Sequence, residues 1–200
     1  MKIIDLVQRS PEWFEARRGK PSASSFDKII TNEGKPSKTR TKYMYTLAAE
    51  MASGLHDDTF QSQAMLQGIE REDTARKFYE LIRGVEVKEV GLCLSDDEKY
   101  LCSPDGLIGD NGGMEIKCPL GGTHVGYIMQ DDEVPLEYFT QVQGNLLVTQ
   151  REWWDFVSYY PTLKPVIVRE EPNTVFQRLL KKELDLFCED LEKLVKQLTK

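Results

Sequence analysis

The clearest pattern in the chain lies near its C-terminal end. There Phe176, Leu180, Leu184, Phe187, Leu191, Leu194 and Leu198 recur at intervals of three and four between charged residues. That period places them on one stripe of a helix, predicted over about 173–198, with the stripe as a packing face. Helical periodicity also runs over roughly 41–51, 62–82 and 135–147. Ser10-Pro11-Glu12 offers a capping serine, a proline in the first turn and an acid, so a helix is predicted from there to Gly19. Ser22-Ala23-Ser24 opens another through Ile30, and Thr31 to Lys38 reads as a polar loop. Extended segments are predicted at about 86–94, 99–108, 114–118, 152–159 and 165–169. Helices, a strand meander, a helix, two strands and a helix together predict an α/β fold, a central mixed β-sheet flanked by helices. The 200 residues suit one domain, 1–200, with a substantial core.

Composition narrows the class. No run of eighteen apolar residues exists, so no membrane span is expected. MKIIDLVQRS lacks the apolar stretch of a signal peptide, and a cytoplasmic location is expected. Cys93, Cys102, Cys118 and Cys188 show no CxxC spacing and read as reduced thiols rather than a zinc site. His56 and His124 have no neighbouring ligand partner and read as incidental. The net charge of −7 argues against a nucleic-acid partner until its distribution is considered. Residues 1–50 hold ten Lys/Arg against six Asp/Glu, clustered at Arg17-Arg18-Gly19-Lys20 and at Lys35, Lys38, Arg40 and Lys42. Local charge, not the net value, sets the field where a polyanion lies.

The segment that proposes a reaction is Ser103-Pro104-Asp105-Gly106, followed by Glu115-Ile116-Lys117. The two flanks are extended and joined by Asp110-Asn111-Gly112-Gly113, which reads as a β-hairpin turn. Alternation puts Glu115 and Lys117 on one face and Ile116 on the other. Asp105 reaches that face only with the right parity. A two-residue turn at Asn111-Gly112 sends it away; a three-residue loop, Asn111-Gly112-Gly113, or a bulge at Gly106 brings it round. Two carboxylates on one sheet face, with the carbonyl of Ile116, suit Mg²⁺, a hard cation that takes oxygen ligands and keeps several waters. Such an ion activates a bound water for phosphodiester hydrolysis, and Lys117 is placed to orient the attacking water or stabilise developing charge. A solvated hairpin with ordinary surface charges is the competing reading.

Ser103-Pro104-Asp105-Gly106 with Glu115-Ile116-Lys117-Cys118-Pro119 resembles the active-site run of the lambda exonuclease and YqaJ-type viral recombinase family, within the PD-(D/E)xK nuclease superfamily. Three further blocks resemble that family in the same order. They are Trp13 to Ser24 (WFEARRGKPSAS), Gly68-Ile69-Glu70-Arg71-Glu72 with Ala75-Arg76, and Tyr138-Phe139-Thr140-Gln141-Val142-Gln143. The resemblance implies a restriction-endonuclease-like core and a Mg²⁺-dependent exonuclease, with Mn²⁺ as a substitute and one or two ions per site. It implies 5′-to-3′ digestion of one strand of duplex DNA from a 5′-phosphorylated end, leaving 3′ single-stranded tails for recombination by annealing. A homotrimeric ring, a single-strand annealing partner and a phage or prophage setting in a bacterial cytoplasm come with it.

By the same resemblance Glu72 becomes a third acid beside Asp105 and Glu115. Arg17, Ser24 and Ser103 become a clamp on the 5′-phosphate, helped by the helix starting at Ser22. Gln141 becomes a hydrogen-bond partner of the scissile phosphate or a metal-bound water, and Met65 a wedge at the DNA end. Plainer readings stand beside these: an Arg17 ion pair with Glu15 or Asp27, a buried structural Gln141, a core Met65, and Trp153-Trp154 and Tyr159-Tyr160 as core aromatics rather than base-stacking platforms. The rival functions are a RecB-like single-strand nuclease and a non-catalytic DNA-end-binding scaffold. The intact Asp, Glu and Lys argue against the scaffold.

Overall fold

The structure is a computed structural model that describes residues 1–55, 63–130 and 133–199. Its elements run β1 (Lys2–Ile4), α1 (Pro11–Arg17), a 3-10 helix (Ala23–Lys28), α2 (Arg40–Ser53), α3 (Gln63–Arg83), β2 (Val87–Lys88) and β3 (Leu92–Leu94). They continue with β4 (Leu101–Cys102), β5 (Gly106–Ile108), β6 (Gly112–Lys117), α4 (Gly121–Ile128), α5 (Leu136–Thr149), β7 (Trp153–Ser158), β8 (Val166–Glu170) and α6 (Thr174–Leu198). The main sheet has the order β2-β5-β6-β7-β8, and only β6 and β7 pair in parallel, through the crossover made by α4 and α5. A smaller sheet has the order β1-β3-β4. The mixed α/β expectation therefore stands.

Two predicted strands are each broken in half, and both breaks have a steric cause. The 86–94 segment divides at Gly91, where a Cβ would stand 2.5 Å from the Leu6 carbonyl oxygen and 2.7 Å from the Leu6 nitrogen. The N-terminal segment crosses there, so β2 joins one sheet and β3 the other. The 99–108 segment divides around Pro104, which has no N–H to give to a ladder. β1 and α4 had no clear sequence signal. α4 carries Gly121, Gly122 and Gly126 within eight residues, a composition that opposes helix formation. Tertiary contacts override it: Tyr127 is buried, and the His124 ring bonds the Ser158 hydroxyl at 2.7 Å and the Lys164 carbonyl at 3.0 Å. His124 is thus a buried strut rather than incidental; His56 lies outside the described residues.

The sheet divides the core. On one face Ala75 and Tyr79 of α3 pack against Met114, Ile116 and Val157. On the other, α2, α5 and α6 pack over Trp154 and Phe156. The α6 stripe is buried from Phe176 to Leu191, while Leu198 is 57% exposed and falls outside the packing face. Trp154 is fully buried, as the core reading expected, and Trp153 lies under the Arg169 guanidinium at 3.5 Å. Arg169 also bonds the buried Asp155, whose carboxylate accepts from the Tyr79 hydroxyl, so β8, β7 and α3 are tied together behind the sheet. Among the described residues no helix is long and apolar enough to cross a membrane.

Candidate active site

The β5–β6 register decides whether the two acids meet. Gly106 pairs with Met114, Leu107 with Gly113 and Ile108 with Gly112. One step further along the same register, Asp105 stands opposite Glu115, on the same face. The required parity is present, but the loop is Gly109-Asp110-Asn111 rather than Asn111-Gly112-Gly113. Gly109 takes the left-handed conformation, with φ of 51°. Gly112 and Gly113 are drawn into the strand because two indoles lie over them. A Cβ on Gly112 would stand 2.0 Å from Trp153 Cζ2, and one on Gly113 2.2 Å from Trp154 Cζ3.

Asp105 is held on three sides. Its Oδ2 accepts from the Ile116 N–H at 2.6 Å, and its own carbonyl accepts from Arg76 Nε on α3 at 3.2 Å. Gln8 pins the preceding turn by donating to the carbonyls of Val90 and Pro104. Glu115 is buried, and both of its oxygens are engaged. Oε1 accepts from Lys117 Nζ at 2.7 Å and Gln141 Nε2 at 2.5 Å; Oε2 accepts from Asn145 Nδ2 at 3.0 Å. Gln141 and Asn145 are one turn apart on α5 and project to the same carboxylate. Gln143, between them, is the buried structural glutamine: it bonds Glu170, the Glu171 carbonyl and the Asn173 N–H. Asn145 escaped the sequence reading; the signal available was its position four residues after Gln141.

The electrostatics follow from crowding charge where water is excluded. Burial, and then the negative charge of Glu115, push the Asp105 carboxyl up to about 8, against the opposing pull of Lys117 and the Ile116 N–H. For Lys117 burial favours loss of the proton, but the charges of Glu115 and Asp105 outweigh it and its pKa is raised. Lys117 is therefore a firmly charged ammonium, suited to orienting and stabilising rather than to removing a proton.

Two acids facing one another, Asp105 partly covered and Glu115 buried, with Lys117 bonded to Glu115, form a donor set that a divalent cation fits. Among the described residues no group of three or more His, Cys, Asp or Glu side chains gathers as a complete cage. Mg²⁺ does not need one, because it holds one or two carboxylates and keeps the rest of its shell as water. Ile116 lines the same cleft while its side chain packs in the core behind the sheet. Glu72 lines it too, on α3, but here its carboxylate is gripped by Arg9 at 3.0 and 2.8 Å. Arg9, with φ of 67°, was not foreseen.

The phosphate-binding candidates meet a few residues away. Arg17 donates to Ser103 Oγ at 2.7 Å and to Ser22 Oγ at 3.0 Å, and its guanidinium stacks on Trp13 at 4.1 Å. The ion pair with Glu15 or Asp27 is not made; Arg18 takes Glu15 instead. Burial lowers the Arg17 pKa, as expected of a guanidinium held largely by neutral hydroxyls. Ser22 and Leu101 form a parallel bridge, which sets the Ser22–Ser24 segment beside the strand leading to Ser103. Ser22 Oγ and Ser24 Oγ lie 3.2 Å apart. The helix expected from Ser22 is a six-residue 3-10 helix, too short to supply the dipole that an anion was expected to use. Met65 is 56% exposed on α3, outside both the core and the cleft lining.

All of the site residues expected from the sequence except Met65 line one cleft of about 190 Å³, which contains Asp105, Glu115, Ile116, Lys117, Glu72, Gln141, Ser24 and the Arg17–Ser103 pair. The YqaJ-like viral recombinase domain matches residues 12–152, a span that holds the four blocks and every predicted site residue. The chain belongs to the YqaJ-like viral recombinase family. The structure is also similar to that of an alkaline exonuclease (LHK-Exo) from Laribacter hongkongensis, with 34% identity, TM-score 0.86, and 94% of this chain and 96% of that one covered. The same protein solved in complex with dAMP matches equally well. A phage-related exonuclease from Haemophilus somnus has a similar fold at 17% identity and TM-score 0.68, covering 89% of this chain and 96% of that one. A comparison with curated protein sequences returns no match.

Proposed function

We propose that the protein is a Mg²⁺-dependent DNA exonuclease that degrades one strand of a duplex from a 5′-phosphorylated end, 5′ to 3′, leaving 3′ tails for strand annealing. It is a nuclease by family and by its likeness to the alkaline exonuclease. One observation carries the finer reading: an acid pair with a charged lysine and a half-buried arginine–serine pair share a single narrow cleft. The first is suited to cutting a phosphodiester and the second to holding a terminal phosphate.

Asp105, Glu115, the Ile116 carbonyl and Glu72 would hold the cation, with Glu72 exchanging Arg9 for the metal shell. A bound divalent cation supplies an acidified water and neutralises charge at the leaving oxygen. Gln141 and Asn145 fix the Glu115 carboxylate by donating to its two oxygens. Lys117, kept charged, stabilises negative charge on the attacking oxygen. Arg17 and Ser103 offer a bidentate fork and a hydroxyl to the 5′-phosphate, with Ser24 at the rim. Met65, exposed near the start of α3, would serve as the wedge at the duplex end. A homotrimer and an annealing protein as partner belong to the same reading.

The test uses 5′-phosphorylated duplex, 5′-hydroxyl duplex and single strands, each with Mg²⁺ or EDTA. Metal-dependent digestion of the phosphorylated duplex well ahead of the others is expected. Preference for single strands favours the RecB-like alternative, and no metal-dependent loss of any substrate favours the scaffold.

A further inference from the structure

Behind the Arg17 wall lies a second, larger cavity of about 590 Å³, bounded by α1, the 3-10 helix and α2. It shares Trp13, Arg17 and Ser22 with the cleft but contains none of the acids proposed to hold metal. Its size is within the range of small-ligand sites, roughly 300–1,000 Å³. Its lining is unusual for this chain. Arg17, Arg18, Lys20, Lys28 and Lys42 converge on it against one acid, Glu50, in a protein of net charge −7.

Lys20, Lys28 and Lys42 have no carboxylate partner among the described residues; Lys28 instead lies over the Tyr43 ring at 5.2 Å and reaches Ser25 Oγ at 3.2 Å. Uncompensated positive charge around a concave pocket raises the local concentration of a small anion. The rest of the wall is mixed: Phe14, 41% exposed, with Leu47 and Tyr43 forms its apolar side, and Ser25, Thr39 and Thr46 add hydroxyls. Cations at the rim and aromatic carbon inside suit a ligand with a phosphate on one side and a flat ring on the other. A duplex is too broad to enter a pocket of this volume, and inorganic phosphate would leave the apolar wall unused.

We propose that this cavity is a nucleotide pocket that takes a nucleoside 5′-monophosphate, the phosphate among Lys20, Lys28 and Lys42 and the base against Phe14 and Leu47. The exonuclease reading above is needed only to name this nucleotide as the released product. The pocket then retains product beside the cleft and makes digestion sensitive to accumulating nucleotide.

The experiment is isothermal titration of the intact protein in EDTA with thymidine 5′-monophosphate, thymidine and inorganic phosphate. The monophosphate is expected to bind at least tenfold more tightly than either fragment. The double variant Lys28→Gln/Lys42→Gln is expected to lose at least tenfold of that affinity while keeping its melting temperature, because both side chains are exposed. Asp105→Asn, in the cleft, is expected to keep the affinity within twofold. In the nuclease assay the double variant is expected to lose less of its own initial rate to added monophosphate than the wild type does. Unchanged affinity in the lysine variant, or fragments binding as well as the nucleotide, overturns the pocket. Binding that survives in a protein with no nuclease activity overturns the product assignment and leaves the pocket standing.

Discussion

Asp105 and Glu115 face one another across a register that ends at Gly106–Met114, and the Ile116 N–H donates to Asp105 from the strand that carries Glu115. The two acids are therefore set by backbone pairing rather than by side-chain flexibility. Lys117, two residues on, inherits the same face. Lys117→Ala is expected to lower turnover by at least about 100-fold, in line with the loss of a charge-stabilising donor. Anisotropy with a 5′-phosphorylated duplex should show end binding within a fewfold of wild type, and full activity would remove Lys117 from the chemistry.

Crowded acids make a prediction about the metal-free protein. An acid whose pKa is higher folded than unfolded holds its proton more tightly when folded. The stability it contributes is complete below the unfolded value, near 4, and is lost as pH rises through the folded value. For Asp105 that window runs up to about 8. Thermal melts in EDTA should fall by several degrees between pH 6 and pH 9, and Mg²⁺ should restore the loss. Asp105→Asn is expected to flatten the profile and abolish the Mg²⁺ response together with activity.

Asn145 offers a test of a residue that acts through another. Within the site its side chain donates to Oε2 of Glu115, and it is buried. Asn145→Ala leaves that oxygen without its donor, at a cost of about 1–3 kcal/mol. Turnover should fall 10- to 100-fold, with the apparent Mg²⁺ requirement rising. A structural role alone would lower the melting temperature and leave the Mg²⁺ titration unmoved.

Arg17 is expected to govern the choice of end. Arg17→Lys keeps a charge but not the fork that reaches Ser103 and Ser22. Initial rates on 5′-phosphorylated and 5′-hydroxyl duplexes should converge in this variant, chiefly through KM. A wild-type ratio between the two substrates would place the 5′-phosphate elsewhere.

Gly113→Ala probes the indole wall. The new methyl would overlap the Trp154 ring, which is fully buried, so overpacking should destabilise the fold by about 1–3 kcal/mol. Chemical denaturation measures this directly, and an unchanged midpoint would mean that Trp154 yields easily.

These tests also mark what the sequence could and could not convey. Asp105, Glu115 and Lys117 were legible because strand alternation and a turn-rich linker constrain which side chains share a face. The turn was misplaced by two residues because Gly112 and Gly113 read as turn formers, whereas they are glycines to clear Trp153 and Trp154 some forty positions away. The long helices were legible because their apolar stripes are self-contained. α4 was not, since its three glycines are overridden by Tyr127 and His124 contacts made with distant segments. Arg9 and Asn145 lie in the same category: each acquires its role from a carboxylate far along the chain, and nothing local announces it.

The distance along the chain between partners has a consequence for when the protein becomes active. Gln141 and Asn145 reach Glu115 across 26 and 30 residues, Arg9 reaches Glu72 across 63, and Arg17 reaches Ser103 across 86. Closing such loops costs chain entropy that only the assembled core returns. During synthesis, a ribosome that has released the Asp-Glu-Lys run has therefore not yet released a nuclease, and a truncated chain ending before α5 carries the reactive residues without the site that arms them.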